Sequence, residues 1–203
     1  MTITAQDHAR ISAAIGAAEA QTSGEIVCVL ARASSEYAAA PLLFASLTAL
    51  LAPWPLLHFT EWSVRSLFAA QIVIYVVALV VLSSRRLRIA LTPRSTRRAF
   101  AHRMASEQFM ARRIGRTSGR MGVLIFVSLA ERYARIIADE GVSSKVDPHE
   151  WQAAIDALTR EMREGRVADG FVAAIEACAK VLAHHAPPEE RPRRELPDRL
   201  YLM

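Results

Sequence analysis

The fold is decided by PLLFASLTALLAPWPLLHF (Pro41–Phe59) and SLFAAQIVIYVVALVVLSS (Ser66–Ser84), two stretches without a charged side chain. A helix needs roughly 20 mostly apolar residues to cross a bilayer, and each stretch supplies about that number. Only Thr60–Arg65 separates them. We therefore predict a hairpin of two transmembrane helices in the middle of the chain. The alternative, a pair of buried helices in a soluble core, is disfavoured because arginines flank these uncharged runs.

The residues on either side of the hairpin indicate two parts of one soluble domain, near the usual domain size of about 100–150 residues. We assign residues 1–40 to the first part, 41–84 to the hairpin, 85–186 to the remainder and 187–203 to a C-terminal tail. The tail mixes charged residues with Leu-Pro and Leu-Tyr-Leu. Its packing on the domain and its packing on the membrane surface both stay open.

A block of arginines follows the second apolar run, and no Asp or Glu occurs between Trp62 and Ser106. The arginines nearest the predicted hairpin are Arg85, Arg86, Arg88, Arg94, Arg97 and Arg98. Lys and Arg beside membrane segments favour the cytoplasmic side, and the loop between the two runs holds only Arg65. We therefore expect a cell-membrane protein with two spans, both termini in the cytoplasm, and the arginine block at anionic lipid headgroups.

The net charge of +5 and the isoelectric point of about 9.8 are explained by this block. Nucleic-acid binding is disfavoured, because the chain contains no recognised binding motif and no basic segment interleaved with aromatic residues. The partners we expect are the lipid bilayer and another membrane protein.

Three apolar runs outside the hairpin are typical of strands: Glu25–Ala31, Met121–Ser128 and Tyr133–Asp139. Apolar residues at helical spacing predict four helices outside the hairpin. One follows the capping pattern Thr4–Asp7, one covers Ser95–Arg113, one begins at Asp147-Pro148 and one begins at Asp169. A strand at Glu25–Ala31 is too short to stand alone, so we expect it to join Met121–Ser128 across the insertion. The order of elements predicts an α/β (α+β) fold, in which a small mixed sheet is flanked by helices.

Four blocks then resemble the TPM domain family: Ser23–Val27, Gly122–Ser128, Glu131–Val142 and Gly165–Phe171. The resemblance covers about residues 5–35 and 95–185. It implies an α/β sandwich with a small central sheet. Members of the family are associated with membrane-protein maintenance, and some are described as acid phosphatases or as calcium-binding. The commoner arrangement is a secreted domain with a terminal anchor, whereas here the membrane segments interrupt the domain.

The resemblance also supplies two candidate site residues. The glycine-rich loop of the family is reduced here to Asp139-Glu140-Gly141, and Asp139 and Asp169 match polar positions of the family blocks. Both are candidate ligands for Ca²⁺ or Mg²⁺, or for a phosphate-ester site. The structural alternatives are a turn residue at a strand end for Asp139 and a helix cap for Asp169.

No motif for a catalytic nucleophile or a phosphate-binding loop occurs in the sequence. It lacks a Gly-rich loop ending in Lys-Ser or Lys-Thr, a Gly-x-Ser-x-Gly elbow and the cysteine-phosphatase signature. We therefore expect a membrane-anchored domain that binds or maintains a partner membrane protein on the cytoplasmic face. The alternative function is a metal-dependent hydrolase similar to acid phosphatases.

Overall fold

A computed structural model of the chain describes residues 3–35, 37–188 and 196–203. Its helices are α1 (Ala5–Glu19), α2 (Ala39–Leu51), α3 (Pro53–Phe59), α4 (Val64–Leu82), α5 (Arg85–Leu91), α6 (Arg94–Ala111), α7 (Glu140–Ser143), α8 (Glu150–Arg163) and α9 (Val167–His185). Its strands are β1 (Glu25–Ala31), β2 (Gly122–Ser128), β3 (Tyr133–Ala138) and β4 (Leu200–Leu202). Two short 3₁₀ helices, Ile114–Arg116 and Ser118–Arg120, precede β2.

The chain divides into two compact units. The sheet unit comprises the described residues of 1–34 and 98–203, and the helical unit those of 35–97. Residues far apart in the sequence therefore build the sheet unit, with the helical unit as a long insertion.

The four strands form one mixed sheet in the order β3-β2-β1-β4. Strand β1 runs parallel to β2, with Glu25 opposite Gly122 and Ala31 opposite Ser128. It also runs parallel to β4, whereas β2 and β3 are antiparallel. The predicted mixed sheet and the pairing of β1 with β2 across the insertion are both confirmed.

Helices cover both faces of β1 and β2, so every residue of the two strands is buried. One face packs on α1, α8 and α9, where Ile15, Leu158 and Phe171 belong to the same core as alternate strand residues. The other face packs on α6, through Ala105 and Phe109. This two-sided cover explains the nearly uninterrupted apolar sequence of both strands.

The helical unit is built from α2, α3, α4 and α5. Residues Ala39–Phe59, with a mean hydropathy of 1.6, and Val64–Leu82, with 2.2, are helices long and apolar enough to cross a membrane. Helix α2 packs against α4, and the buried residues of the two helices include Ala45 and Leu67. Most of their apolar side chains are exposed: Val73 is 59% exposed and Val80 is 70% exposed.

One predicted element boundary needs correction. Helix α8 begins at Glu150, because the residues from Asp147 form a turn in which the Asp147 carboxylate accepts a hydrogen bond from the His149 amide at 2.8 Å. The structure also answers the open question of how the tail packs. The tail contributes Leu200–Leu202 as β4, and the Met203 amide donates to the Leu30 carbonyl at 2.9 Å. The end of the chain thus packs on the sheet.

Candidate functional site

The carboxyl ends of β1 and β2 are the place where a ligand site is expected, since ligands of sheets with parallel strands bind beyond these ends. A cavity of about 170 Å³ lies there, between Leu30 near the end of β1 and the first turn of α9. We call it the α9 crevice. Its charged lining residues are Asp7 and Arg10 of α1, with Arg166 and Asp169 at the start of α9.

The charged side chains of the α9 crevice form ion pairs. The Arg10 guanidinium donates to Asp169 at 2.7 Å and lies 4.0 Å from Asp7. Arg166 bonds to Glu161 at 2.6 Å, pairs with Glu164 and lies 3.7 Å from Asp169.

Because of the hydrogen bonds to Glu161 and Glu164, the pKa of Arg166 is raised above its ordinary value. Neither Arg10 nor Arg166 is therefore left unpaired for an anionic substrate. The described lining residues also include no serine, threonine, cysteine or histidine that could act as a nucleophile.

A second polar cluster lies beside these strand ends. The buried Ser128 hydroxyl donates to Glu131 and accepts from the Ser34 hydroxyl at 3.0 Å. The Ser34 amide donates to the other Glu131 oxygen at 3.0 Å. A serine nucleophile normally needs a base such as histidine, and none takes part in these bonds. The cluster instead ties the exit of β1 to the turn between β2 and β3.

Asp139 lies at the opposite end of the sheet, where its amide donates to the Gly122 carbonyl at 2.9 Å. Its carboxylate caps α7 by accepting from the Glu140 amide at 2.8 Å, and Arg120 lies 3.5 Å away. The second carboxylate oxygen, Oδ2, is buried and has no hydrogen-bond partner within the ranges that the structure describes. Gly141 is needed in this loop, because a Cβ there would overlap the Gly119 and Arg120 carbonyl oxygens.

Asp139 and Asp169 are therefore not brought together. Asp139 lies next to the start of β2, and Asp169 lies beside the ends of β1 and β2. The length of the sheet therefore separates them. Among the described residues, no group of three or more His, Cys, Asp or Glu side chains could hold a metal ion. Hard cations require several oxygen ligands, so each position would need further donors. A cation at Asp139 or at Asp169 stays a prediction.

The arginine block lies on α5 and α6. Arg94 and Arg98 are exposed, Arg88 and Arg97 are half-buried, and the side chains of Arg85 and Arg86 lie outside the described part of the structure. Arg98 belongs to the sheet unit and the others to the helical unit.

No sequence pattern predicts the acidic pair formed by Glu19 and Asp198. Burial of the Glu19 carboxyl and the nearby Asp198 raise the pKa of Glu19 from 4.5 to about 8, although the Ile26 amide donates to it at 2.9 Å. Asp198 lies two residues before β4. Only the pairing of β4 with β1 identifies the two acids as neighbours.

Comparison with known proteins supports one family. The family model described as the TPM domain matches residues 70–181, which is more than half of the chain. The structure is similar to that of the BA42 protein from the psychrophilic bacterium Bizionia argentinensis, solved by NMR. The TM-score is 0.63 at 19% identity, covering 100% of this chain and 97% of that chain, and this likeness concerns the fold alone. No curated protein matches the sequence. From the family match, the chain belongs to the TPM domain family.

Proposed function

We propose that this protein is anchored in the cell membrane by its helical unit, and that its sheet unit binds or maintains another membrane protein on the cytoplasmic face. The observation that carries the proposal is the exposure of an apolar surface on α2 and α4. In the most apolar windows of the two candidate spans, only 17% and 6% of the residues are buried. Helices of this length and hydropathy satisfy their own backbone hydrogen bonds, which a bilayer core requires.

The small buried residues of these helices are consistent with packing inside a membrane. Ala45 and Ala49 are the buried alanines of α2, and small side chains let neighbouring helices approach closely in lipid. At the outer ends, Trp54 is 78% exposed and Trp62 is 52% exposed. Both would lie in the interfacial region, where tryptophan is enriched.

The arginine block supports the orientation. It follows α4 directly, whereas the connection between the two apolar segments carries only Arg65. The termini would then lie in the cytoplasm, with the arginines at anionic headgroups.

Binding is favoured over catalysis because of the α9 crevice. Its arginines are held by carboxylates, and its described lining residues include no serine, threonine, cysteine or histidine. An arrangement of this kind stabilises the start of α9 and does not activate water or a substrate.

Cysteine labelling tests the anchor and its orientation. Both natural thiols are buried, which raises the pKa of Cys178 to about 12 and that of Cys28 well above its ordinary value, so they react poorly with a labelling reagent. Ser63→Cys and Ser144→Cys place new thiols at exposed positions. In intact cells an impermeant maleimide should label only Ser63→Cys. Labelling of Ser144→Cys alone would invert the orientation, and recovery of the protein in the alkaline-soluble fraction would contradict membrane anchoring.

A metal-dependent hydrolase is the second candidate function, and the unpartnered Oδ2 of Asp139 favours it. Purified protein would be assayed for hydrolysis of p-nitrophenyl phosphate with Ca²⁺, with Mg²⁺ and with chelator. Metal-dependent activity that Asp139→Asn abolishes would establish the hydrolase. If neither metal raises the melting temperature, the metal site is absent, because a ligand of the native state must stabilise it.

A further inference from the structure

A second cavity, of about 560 Å³, lies at the same end of the sheet as the α9 crevice. The end of β2, the start of β3 and the C-terminal half of α8 enclose it, and we call it the β3 cavity. Its volume falls within the range of about 300–1,000 Å³ that is usual for ligand sites. It borders Leu129, which also lines the α9 crevice.

Two exposed arginines line the β3 cavity: Arg132 in the β2–β3 turn and Arg163 in the last turn of α8. Across residues 3–35, 37–188 and 196–203, neither guanidinium forms an ion pair or a side-chain hydrogen bond. Arg10 and Arg166 of the α9 crevice differ from them, because both form ion pairs with carboxylates. The β3 cavity therefore presents positive charge that its own walls do not neutralise.

The Ser128 and Thr159 hydroxyls of the cavity are already engaged. Ser128 donates to Glu131, and Thr159 donates to the Asp156 carbonyl at 3.2 Å. Among the described lining residues, the two guanidiniums are the charged groups that can recognise an anion. Paired N–H donors of arginine match the two oxygens of a carboxylate.

The rest of the lining is apolar. Leu129, Ala134 and Met162 are partly buried against the main core, and Tyr133 is half-buried. A ligand that fits this lining carries an apolar side chain next to its negative charge. A flexible methionine adapts to side chains of different shape.

The backbone of strand β3 is also available for binding. It is at the edge of the sheet and, in the part of the chain that the structure describes, pairs only with β2. An edge strand can pair with an extended peptide, whose alternate side chains then enter neighbouring pockets. The start of β3 lines the cavity, so a peptide on this edge would reach both arginines.

The backbone at Arg132 is left-handed. Its φ is +50°, in the region where glycine is favoured and which Tyr37, Arg113 and Arg120 also adopt. Glycine would close this turn with less strain, and the chain carries a cation there instead.

From these observations we infer that the β3 cavity and the β3 edge bind an extended acidic peptide of the partner protein, in which Asp or Glu alternates with apolar residues. The inference rests on the proposed function as a binding protein and names the chemistry of the partner. Arg132 and Arg163 hold the carboxylates, and the Leu129–Met162 surface receives the apolar side chain.

Fluorescence anisotropy tests this inference with the full chain in nonionic detergent micelles. The probe is a labelled peptide of alternating Glu and Leu, compared with peptides that carry Gln or Lys in place of Glu. We expect only the Glu peptide to bind. Arg132→Gln and Arg163→Gln should each weaken its affinity about tenfold, and the double variant should abolish binding.

Two further variants separate charge from folding. Arg160→Gln removes an exposed arginine of α8 that does not line the cavity, and its affinity should stay within about twofold. Arg132→Gly relieves the left-handed strain, so it should melt no lower than the parent and still bind about tenfold more weakly. Parental affinity in Arg132→Gly and in the double variant would overturn the inference.

The remaining outcomes are equally decisive. Equal affinity for the Glu and Gln peptides would overturn the role of the arginines. Arginine-dependent binding of vesicles with anionic phosphatidylglycerol, without binding of the Glu peptide, would make the site a lipid site and overturn the peptide. Absence of Glu-peptide binding would overturn the inference but leave the cysteine-labelling result unchanged, so the two proposals fail separately.

Discussion

Strands β1 and β2 and helix α4 are similarly apolar, but the strands are buried and most of the helix is exposed. Val29 and Phe126 are 0% exposed in the sheet, whereas Phe68 and Val73 of α4 are 61% and 59% exposed. The strands are seven residues long and covered by helices on both faces, whereas α4 has 19 residues. Apolar composition alone therefore does not decide burial within the protein. The length of the run and its cover by other helices distinguish the buried strands from the exposed helix.

Alanine substitutions of two phenylalanines test this contrast with the largest expected effect. Phe126→Ala removes a fully buried ring and should lower the free energy of unfolding of the sheet unit by about 3–5 kcal/mol. Phe68→Ala should change it by about 0.5 kcal/mol or less. Denaturant unfolding in detergent, followed by circular dichroism, measures both values. Equal losses would mean that Phe68 belongs to the same folded core.

An arginine in the middle of α4 tests whether this helix crosses a bilayer. Val73→Arg should disfavour insertion by about 2.5–3.5 kcal/mol, because a charge is desolvated at the centre of a spanning helix. Val64→Arg at the start of α4 is the matched control, since a side chain there reaches the interface. The inserted fraction in a microsome assay measures the difference. Equal insertion of both variants would show that α4 does not cross the bilayer.

The pH dependence of stability sharpens the description of the sheet unit. The pKa of Glu19 is raised from 4.5 to about 8, so its contribution to stability is complete below about pH 4.5 and is lost as the pH rises through about 8. Glu19→Gln keeps the acceptor oxygen for the Ile26 amide and removes the titration. At pH 9 this variant should melt on the order of 5 °C higher than the parent, and at pH 4 the two should agree.

Thermal melts at fixed ionic strength between pH 4 and pH 9 provide that measurement. A substitution in the helical unit, such as Phe68→Ala, should leave the pH profile of the parent unchanged. The same profile in Glu19→Gln as in the parent would exclude Glu19 as the titrating group.

The smallest effect is expected from the ion pairs of the α9 crevice. Arg10 and Asp169 are 50% and 38% exposed at their side chains, so solvent screens their attraction. Arg10→Ala should lower the free energy of unfolding by less than about 1 kcal/mol. Denaturant titration measures this loss, and a value near that of Phe126→Ala would contradict it.

Much of the sheet could be predicted because its strands depend on local patterns. The β1 boundaries at Glu25 and Ala31 follow from one apolar run bounded by Ser-Gly and a polar segment. Strand β4 could not be predicted in the same way. Three residues, Leu200–Leu202, are too short for a periodic signal, and their pairing with β1 is a tertiary contact.

The candidate sites were less predictable, because a site depends on which side chains the fold brings close together. Asp139 and Asp169 were selected as positions of a family pattern, and the sheet places them at opposite ends. Arg132 and Arg163 belong to no motif, and only the packing of α8 beside β3 brings them to one cavity. The sequence contains the charges but does not show which of them carboxylates will neutralise.

The parallel pairing of β1 with β2 has a consequence for biosynthesis. Residues 32–121 must be synthesised before β1 meets its neighbour, because β2 begins at Gly122. Closing a connection of this length is entropically unfavourable, and such contacts form late in folding. Until then the apolar strand Glu25–Ala31 has no partner on that side, and an unpaired apolar strand is prone to aggregation. Insertion of the two helices as a hairpin would bring the flanking segments together and shorten the search, so that the insertion acts as a folding aid for the domain that it interrupts.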